Sequence, residues 1–299
     1  MTPSSKGSWA RAAFGQGRPL GASVLAIAPA AAILAAIFAA PLFGLLQESF
    51  RAFTPGRVGA VLDAPFTLEN YSELATAAFA GVVFETFWIS ALASLIGVAM
   101  ALPLAHVIVR RLTGRRRAIV VGFLILLVLL SMLVRTYALQ LTFGSVGVAR
   151  PLLLWLGVSP TGRGYIDALV VAGLVHAITP IATLTLLGSV QNVDPRLADA
   201  AQSLGASRWR AHLDITLPLN VAGLVSALVV AFSFSISAYV IPLILGLGRV
   251  SFVSNVVFTR FSDVANYPSG AAVSVFMLAV SLIVVLGLSR VRRSGGRLA

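Results

Sequence analysis

Six long apolar runs, each with at most one charged residue, constrain the fold of this chain more than any other feature. They cover residues 22–46, 85–109, 118–141, 166–190, 221–246 and 271–288. A helix of about 20 apolar residues crosses the roughly 30 Å hydrocarbon core of a bilayer. Because lipid offers the backbone no hydrogen-bond partner, each run must satisfy its own backbone groups as a helix. The sequence therefore predicts an all-α polytopic membrane protein with six transmembrane helices.

The overall composition agrees with a membrane protein and excludes several other classes. Of the 299 residues, 58% are hydrophobic and only 11% are charged, whereas soluble domains have about 25% charged residues. The net charge of +12 accordingly indicates basic loops at a membrane rather than a nucleic-acid-binding domain. Cysteine is absent and Lys6 is the only lysine. An internal phosphate-binding loop, which requires a lysine, is therefore excluded.

The basic residues are divided unevenly between the two sides of the predicted membrane domain. The tails and the loops after the second and fourth runs carry 15 of the 22 arginine and lysine residues, and the opposite loops carry 6. Because cytoplasmic loops are enriched in Arg and Lys, both termini are predicted to be cytoplasmic. An even number of spans also places both termini on the same side.

A helix–turn–helix elbow is predicted within residues 191–219, on the cytoplasmic side. Asp194-Pro195 combines a capping acid with a proline at the first helical position. Gly205 lies where a left-handed residue would end that first helix. Ser207 is suited to cap a second short helix, and Pro218 is predicted to end it. A small-faced elbow at a membrane surface is suited to dock into a groove of a partner protein.

The elbow also carries a motif that resembles a known family. Asp199-Ala200-Ala201, three residues, Gly205, nine residues and then Ile215-Thr216-Leu217-Pro218 look like the EAA loop of permeases from ATP-binding-cassette (ABC) importers. That loop usually begins with glutamate, so Asp199 keeps the charge on a shorter side chain. The spacing otherwise matches throughout.

Three further segments resemble spermidine/putrescine-type permeases of that family. They are Phe66–Tyr71 (FTLENY), Val134–Ala138 (VRTYA) and Tyr267–Ala272 (YPSGAA). The resemblance implies the type I ABC importer permease fold and import of polyamines or a related small polar solute. It also implies four kinds of partner: a cytoplasmic ABC ATPase dimer, a second permease that is usually a different chain, a periplasmic solute-binding protein and membrane lipid. The chain itself is expected to be no enzyme and to bind no cofactor, because ATP and Mg²⁺ would be bound by the ATPase.

The domain organisation follows from the runs and the resemblance together. We expect a basic cytoplasmic tail (1–21), a first transmembrane helix (22–46), a periplasmic segment (47–84), a permease core of five helices (85–289) and a basic cytoplasmic tail (290–299). The resemblance further implies that the elbow forms the coupling helix that contacts the ATPase. Its expected contact and turn residues are Asp199, Ala200, Ala201, Gly205, Arg208, Trp209, Ile215, Leu217 and Pro218.

Some of these elbow residues have a second interpretation. Arg208 and Arg210 are suited to acids of the ATPase or equally to lipid headgroups. Trp209 is suited to a groove of the ATPase or to the membrane interface.

A few polar residues inside the runs are candidates for the translocation pathway or its gate: Arg135, Tyr137, His176, Ser233, Ser237 and Tyr239. A charge inside a span needs a partner or access to water. Arg135 is expected near the outer end of the third span, where it would pair with Asp167 or Glu85 or extend toward lipid headgroups. A gate or a docking contact for the binding protein is the alternative role. Helix packing is the alternative role for the two serines, and a packed histidine is the alternative for His176.

No catalytic site or metal site is predicted, because the three histidines are scattered and no paired carboxylates are found. An ATP-independent secondary transporter or channel is the alternative function. It would require ionisable residues near the midplane or inverted repeats. Only His176 meets the first requirement, and no repeat is evident.

Overall fold

The computed structural model describes residues 20–56 and 63–295, and this part of the chain is almost entirely helical. Its only extended pairing is an isolated antiparallel bridge between Arg51 and Phe66. The predicted all-α fold is therefore confirmed. Most of the predicted N-terminal tail, the basic residue Arg57 and the last four residues lie outside the described residues.

Six membrane spans are found in the described residues if two bent helix pairs are each counted as one span. The straight ones are the first span (Ala28–Ser49, in a helix that begins at Leu20), the second (Ala77–Arg110), the fourth (Arg163–Asn192) and the sixth (Tyr267–Gly287, in a helix that continues to Gly295). The third combines Gly114–Leu129 with Met132–Phe143, bent by 90°, and the fifth combines Leu213–Leu219 with Val221–Ile236, bent by 58°. The number of spans agrees with the prediction. The third span is not the continuous helix that the sequence predicted, whereas the bend of the fifth span precedes its predicted start at residue 221.

The fifth span ends at Ile236, where the apolar run predicts a helix as far as residue 246. A separate helix, Val240–Leu245, follows after a short break. Pro242 has no N–H to donate to the carbonyl of Ala238, four residues earlier. That carbonyl accepts a bond from the Ser254 hydroxyl instead, at 2.7 Å. The broken backbone is thus satisfied by a side chain, as a low-dielectric environment requires.

The core of the described fold lies between the second and fourth spans. A Cβ at Gly97 of the second span would lie only 2.8 Å from Cγ2 of Ile178 on the fourth, so the two backbones approach closely because Gly97 has no side chain. In the most apolar stretch of the fourth span 67% of residues are buried, against none in the first span. The first span packs on the sixth, beside this core.

Short helices occupy segments between spans on the side opposite to the elbow of residues 191–219, which is named the outer side. Glu69–Ser72 is a short helix that begins within the FTLENY segment and continues into the 3-10 turn Glu73–Ala75. Arg150–Trp155 is another short helix, and its Trp155 is 81% exposed. Val253–Phe258 continues into a π-helical turn, Thr259–Asp263, before the sixth span.

Candidate functional site

The first arm of the elbow is a helix, Pro195–Ser203, that begins where the sequence predicts. Asp194 caps it, because its carboxylate accepts a hydrogen bond from the backbone N–H of Arg196 at 2.9 Å. The proline at the first helical position needs no such acceptor. Asp199 and Ala200 are exposed on this helix, and Ala201 is half-buried.

Gly205 turns the chain in a Schellman motif. Its φ is +92°, in the region that glycine enters without steric strain. The N–H of Ala206 donates to the carbonyl of Ala201 and the N–H of Gly205 donates to that of Gln202, both at 3.0 Å. A Cβ at Gly205 would meet no atom within 4 Å. Glycine is therefore required by the backbone conformation and not by any neighbouring group of this chain.

The second arm is helical from Arg208 to Leu219. Ser207 caps it as predicted, accepting from the N–H of Arg210 at 3.3 Å. The arm comprises Arg208–Ala211, a π-helical turn His212–Thr216 and Leu217–Leu219. Pro218 lies in the last of these pieces, and the bend into the membrane follows at Asn220 rather than at Pro218, where the sequence places it. The side chains of Arg208 and Trp209 lie outside the described residues.

The elbow presents apolar side chains on an otherwise polar surface. Leu204 at the tip is 90% exposed, and Leu197 and Leu213 on the two arms are 45% and 54% exposed. Ile215 is half-buried, whereas Leu217 and Pro218 are exposed. Arg210 and Asp214 form an exposed ion pair at 3.5 Å. Exposed leucines on a protruding loop mark a surface suited to contact another protein.

Two side chains that the sequence analysis did not single out tie the elbow to the spans. The guanidinium of Arg110, at the end of the second span, donates to the carbonyl of Val190 at 2.9 Å and also to that of Val193. Asn220 is fully buried, accepts from the Ser189 hydroxyl at 2.9 Å and donates to the carbonyl of Thr216 at 2.8 Å. The elbow is therefore held at both of its ends.

A polar cleft of about 330 Å³ lies between the elbow and the end of the second span. Arg110 and Arg111 line one side, and Asp194, Asp199 and Gln202 line the other. The cleft lies between the first arm of the elbow and the second span, and Arg110 at its edge donates to the carbonyls of Val190 and Val193.

The structure places Arg135 differently from the sequence prediction. Arg135 lies in the first turn after the break in the third span, where its guanidinium is 3.5 Å from Sδ of Met132. His176 is close to the middle of the helix Arg163–Asn192. Glu85 and Asp167 instead pair with Arg163, which lies at their level and four residues before Asp167 on the same helix. The expected pairing of Arg135 with either acid is therefore wrong.

The remaining pathway candidates lie in two places. Ser233 and Ser237 line a shallow groove against the sixth span, and the Ser237 hydroxyl donates to the Ser233 carbonyl at 3.0 Å. Tyr239 lies in the break after the fifth span, where its ring is 4.7 Å from that of Phe258. Tyr137, in the outer half of the third span, is 54% exposed.

The FTLENY and YPSGAA segments meet at the outer side. Asn70 is buried and donates to the carbonyls of Ser49 at 3.0 Å and Arg51 at 2.8 Å, at the end of the first span. Just beyond, Glu73 accepts from the Ser269 hydroxyl at 3.2 Å and pairs with Arg260 at 3.3 Å. These segments therefore join the outer ends of the first and sixth spans.

A larger cleft of about 1130 Å³ opens between the second and fourth spans on their outer half. Glu85, Arg163 and Asp167 lie along it, together with Arg249 and the apolar side chain of Trp88. Its lining on the fourth span ends at Val175, one residue before His176.

Six spans, a protruding elbow and outer clefts define a multi-pass membrane transport subunit. The family model for the "binding-protein-dependent transport system inner membrane component" matches residues 93–293. The chain belongs to that family, and it is the inner-membrane permease subunit of a binding-protein-dependent ABC importer. In this family ATP is hydrolysed by a separate chain.

Relatives and solved structures agree with that assignment. The chain is 27% identical over 225 residues to the spermidine/putrescine transport system permease protein PotB of Salmonella typhimurium strain SL1344, covering 75% of this chain and 76% of that protein. It is 23% identical over 272 residues to the inner membrane ABC transporter permease protein YdcU of Escherichia coli K12, covering 87% and 85%. A chain of a bacterial ABC transporter that imports the acidic polysaccharide alginate has the same fold, with a TM-score of 0.71, 20% identity and coverage of 92% and 98%.

Proposed function

We propose that this chain and a second permease form the pathway of an ATP-driven importer for polyamines or a related small polar solute. The PotB relatives, which are named for spermidine and putrescine, support polyamines. The second permease is proposed to be a different chain. ATP and Mg²⁺ are proposed to bind to a cytoplasmic ATPase dimer and not to this chain.

The observation that carries this proposal is the geometry of the elbow. The elbow protrudes from the spans and exposes Leu204 at its tip. Its turn depends on the positive φ of Gly205, although no neighbouring group of this chain requires a glycine there. Such a surface is suited to the groove of an ATPase. Leu197 and Leu213 would extend the apolar contact, and Asp199 would lie at its polar edge.

Both termini are proposed to be cytoplasmic. The uneven division of basic residues supports this orientation. With this orientation the elbow lies beside the ATPase. The ion pairs of Arg163 with Glu85 and Asp167 then lie on the periplasmic side, where the solute-binding protein delivers its ligand. Exposed arginines such as Arg111 and Arg115 are then at the level of acidic headgroups of the inner leaflet.

Transport is proposed to follow alternating access. ATP binding closes the ATPase dimer, and the elbows transmit that movement to the spans. Nucleotide and loaded binding protein shift the equilibrium only because they bind the outward-open and inward-open states with different affinities. Arg135 of the third span, and His176 near the midpoint of the fourth span, are proposed to lie along the pathway.

Reconstitution in proteoliposomes tests this proposal. The chain is combined with the second permease, the ATPase and the binding protein encoded beside it, and uptake of radiolabelled putrescine is measured. Uptake should require ATP and all four proteins. Uptake by this chain without an ATPase would contradict the proposal and support a secondary transporter or channel.

A further inference from the structure

We infer that Arg110 is the positioning residue that makes the elbow, the second span and the fourth span move as one rigid lever, while the fifth span pivots separately at Asn220. This inference rests on the proposed coupling function of the elbow.

The bonds of Arg110 occur where the fourth span ends. The last carbonyls of a helix have no partner within the helix, and those of Val190 and Val193 both accept from Arg110. Both bonds are donated by Nη2, and the positive charge of the guanidinium is favourable at a helix C-terminus. Arg110 is half-buried, so water competes less for these bonds.

Packing continues the same connection into the membrane. The second and fourth spans pack closely where Gly97 approaches Ile178. Closely packed helices transmit displacement because their interiors have few voids. The polar cleft of about 330 Å³ lies beside the bonds of Arg110, between the first arm of the elbow and the second span.

The fifth span is joined to the elbow differently. The 58° bend lies at Asn220, after the π-helical turn His212–Thr216 and Pro218. A π-turn and a proline both loosen the helical hydrogen-bond ladder. The bond from Ser189 to Asn220 fixes the position of this bend, and the close approach of Gly223 to Ser189 lies within the first turn beyond it.

The test compares Arg110→Gln with Arg111→Gln in the reconstituted importer. Arg111 is the matched control, because it is adjacent, exposed and also lines the cleft, but its side chain makes no hydrogen bond or ion pair among the described residues. We expect R110Q to keep its ATPase attached and hydrolysing ATP while solute imported per ATP falls about tenfold. R111Q should remain close to wild type, and R110K, which keeps the charge on a shorter side chain, should be intermediate. If R110Q does not reach the membrane, R110K is compared with R111Q by the same ratio.

Spin-label distances provide a readout that simple loss of stability would not move. The chain has no cysteine, so labels can be placed at Val107 and Arg196, or at Arg196 and Ala222, which are all exposed. On ATP binding the first distance should stay constant and the second should change. In R110Q the first distance should broaden.

Two results would overturn the inference. One is import per ATP in R110Q equal to wild type, and the other is a Val107–Arg196 distance that changes with ATP as much as the Arg196–Ala222 distance. Failure of the proposed function is distinguishable, because the wild-type chain would then not bind the ATPase at all.

Discussion

Substitution of Gly205 tests the elbow at its tightest point. At a φ of +92° an L-residue is strained by about 1–2 kcal/mol, which lowers the population of the native turn about 5- to 30-fold. Because a Cβ there meets no atom within 4 Å, this strain is the whole cost of alanine within the chain itself. Any larger loss with a bulky residue comes from its atoms beyond Cβ, which would lie in the surface proposed to contact the ATPase.

The assay is capture of the purified ATPase by the permease pair, together with ATP-dependent uptake. Gly205→Ala should lower ATPase affinity about tenfold. Gly205→Asn should lose less, because asparagine tolerates the left-handed region. Gly205→Trp should lose more than alanine, because the indole would lie in the contact surface. Equal ATPase affinity for the alanine, asparagine and tryptophan variants would refute the reasoning, since neither strain nor contact would then matter.

Three further changes test the fold through thermal unfolding of the purified protein in detergent. Gly97→Leu overpacks the central helix pair and should lower stability by about 1–3 kcal/mol. Adding Ile178→Ala should recover part of that loss. If the losses of the two substitutions simply added, the close approach of Gly97 to Ile178 would be contradicted. Asn70→Ala removes two hydrogen bonds to buried carbonyls and should lower stability by about 1–3 kcal/mol. Glu73→Gln removes a more exposed ion pair and should lower stability by only about 0–1 kcal/mol. The reverse order would be inconsistent with the contacts. Asn220→Leu should also cost about 1–3 kcal/mol, and an unchanged melting temperature would show that its two bonds contribute nothing.

The elbow was predictable from sequence because its signals are local. Asp194, Pro195, Gly205 and Ser207 each fix one backbone position through capping or a special φ, and each lies where the sequence places it. The six spans were predictable for a similar reason, since hydrocarbon thickness sets a minimum apolar length.

The breaks in the third and fifth spans differ in how far sequence reveals them. The third span breaks at Leu130 and Ser131, within a run that contains no proline and whose only glycine, Gly122, lies eight residues before the break. The break after the fifth span does have a signal in Pro242. Its position depends on the Ser254 hydroxyl, which becomes a neighbour only through tertiary folding.

The tertiary contacts of the site could not be predicted from local pattern. Arg110 is one of five arginines in a short stretch that reads as a topology signal, and nothing local distinguishes it from Arg111. Arg163 pairs with Glu85 and Asp167, the two acids expected to pair with Arg135. Helix packing decides which charged side chains lie at the same depth in the membrane domain.

Cross-linking from the elbow tip tests the central claim most directly. Leu204 is 90% exposed, and Trp155, on the side opposite to the elbow, is 81% exposed. Because the chain has no cysteine, a single cysteine can be introduced at either position and coupled to a short photoactivatable cross-linker in membrane vesicles. The account predicts that Leu204→Cys cross-links to the ATPase subunit and that Trp155→Cys does not, but reacts with an impermeant thiol reagent from the periplasmic side. An ATPase adduct at position 155, or none at position 204 in vesicles that import solute, would contradict it.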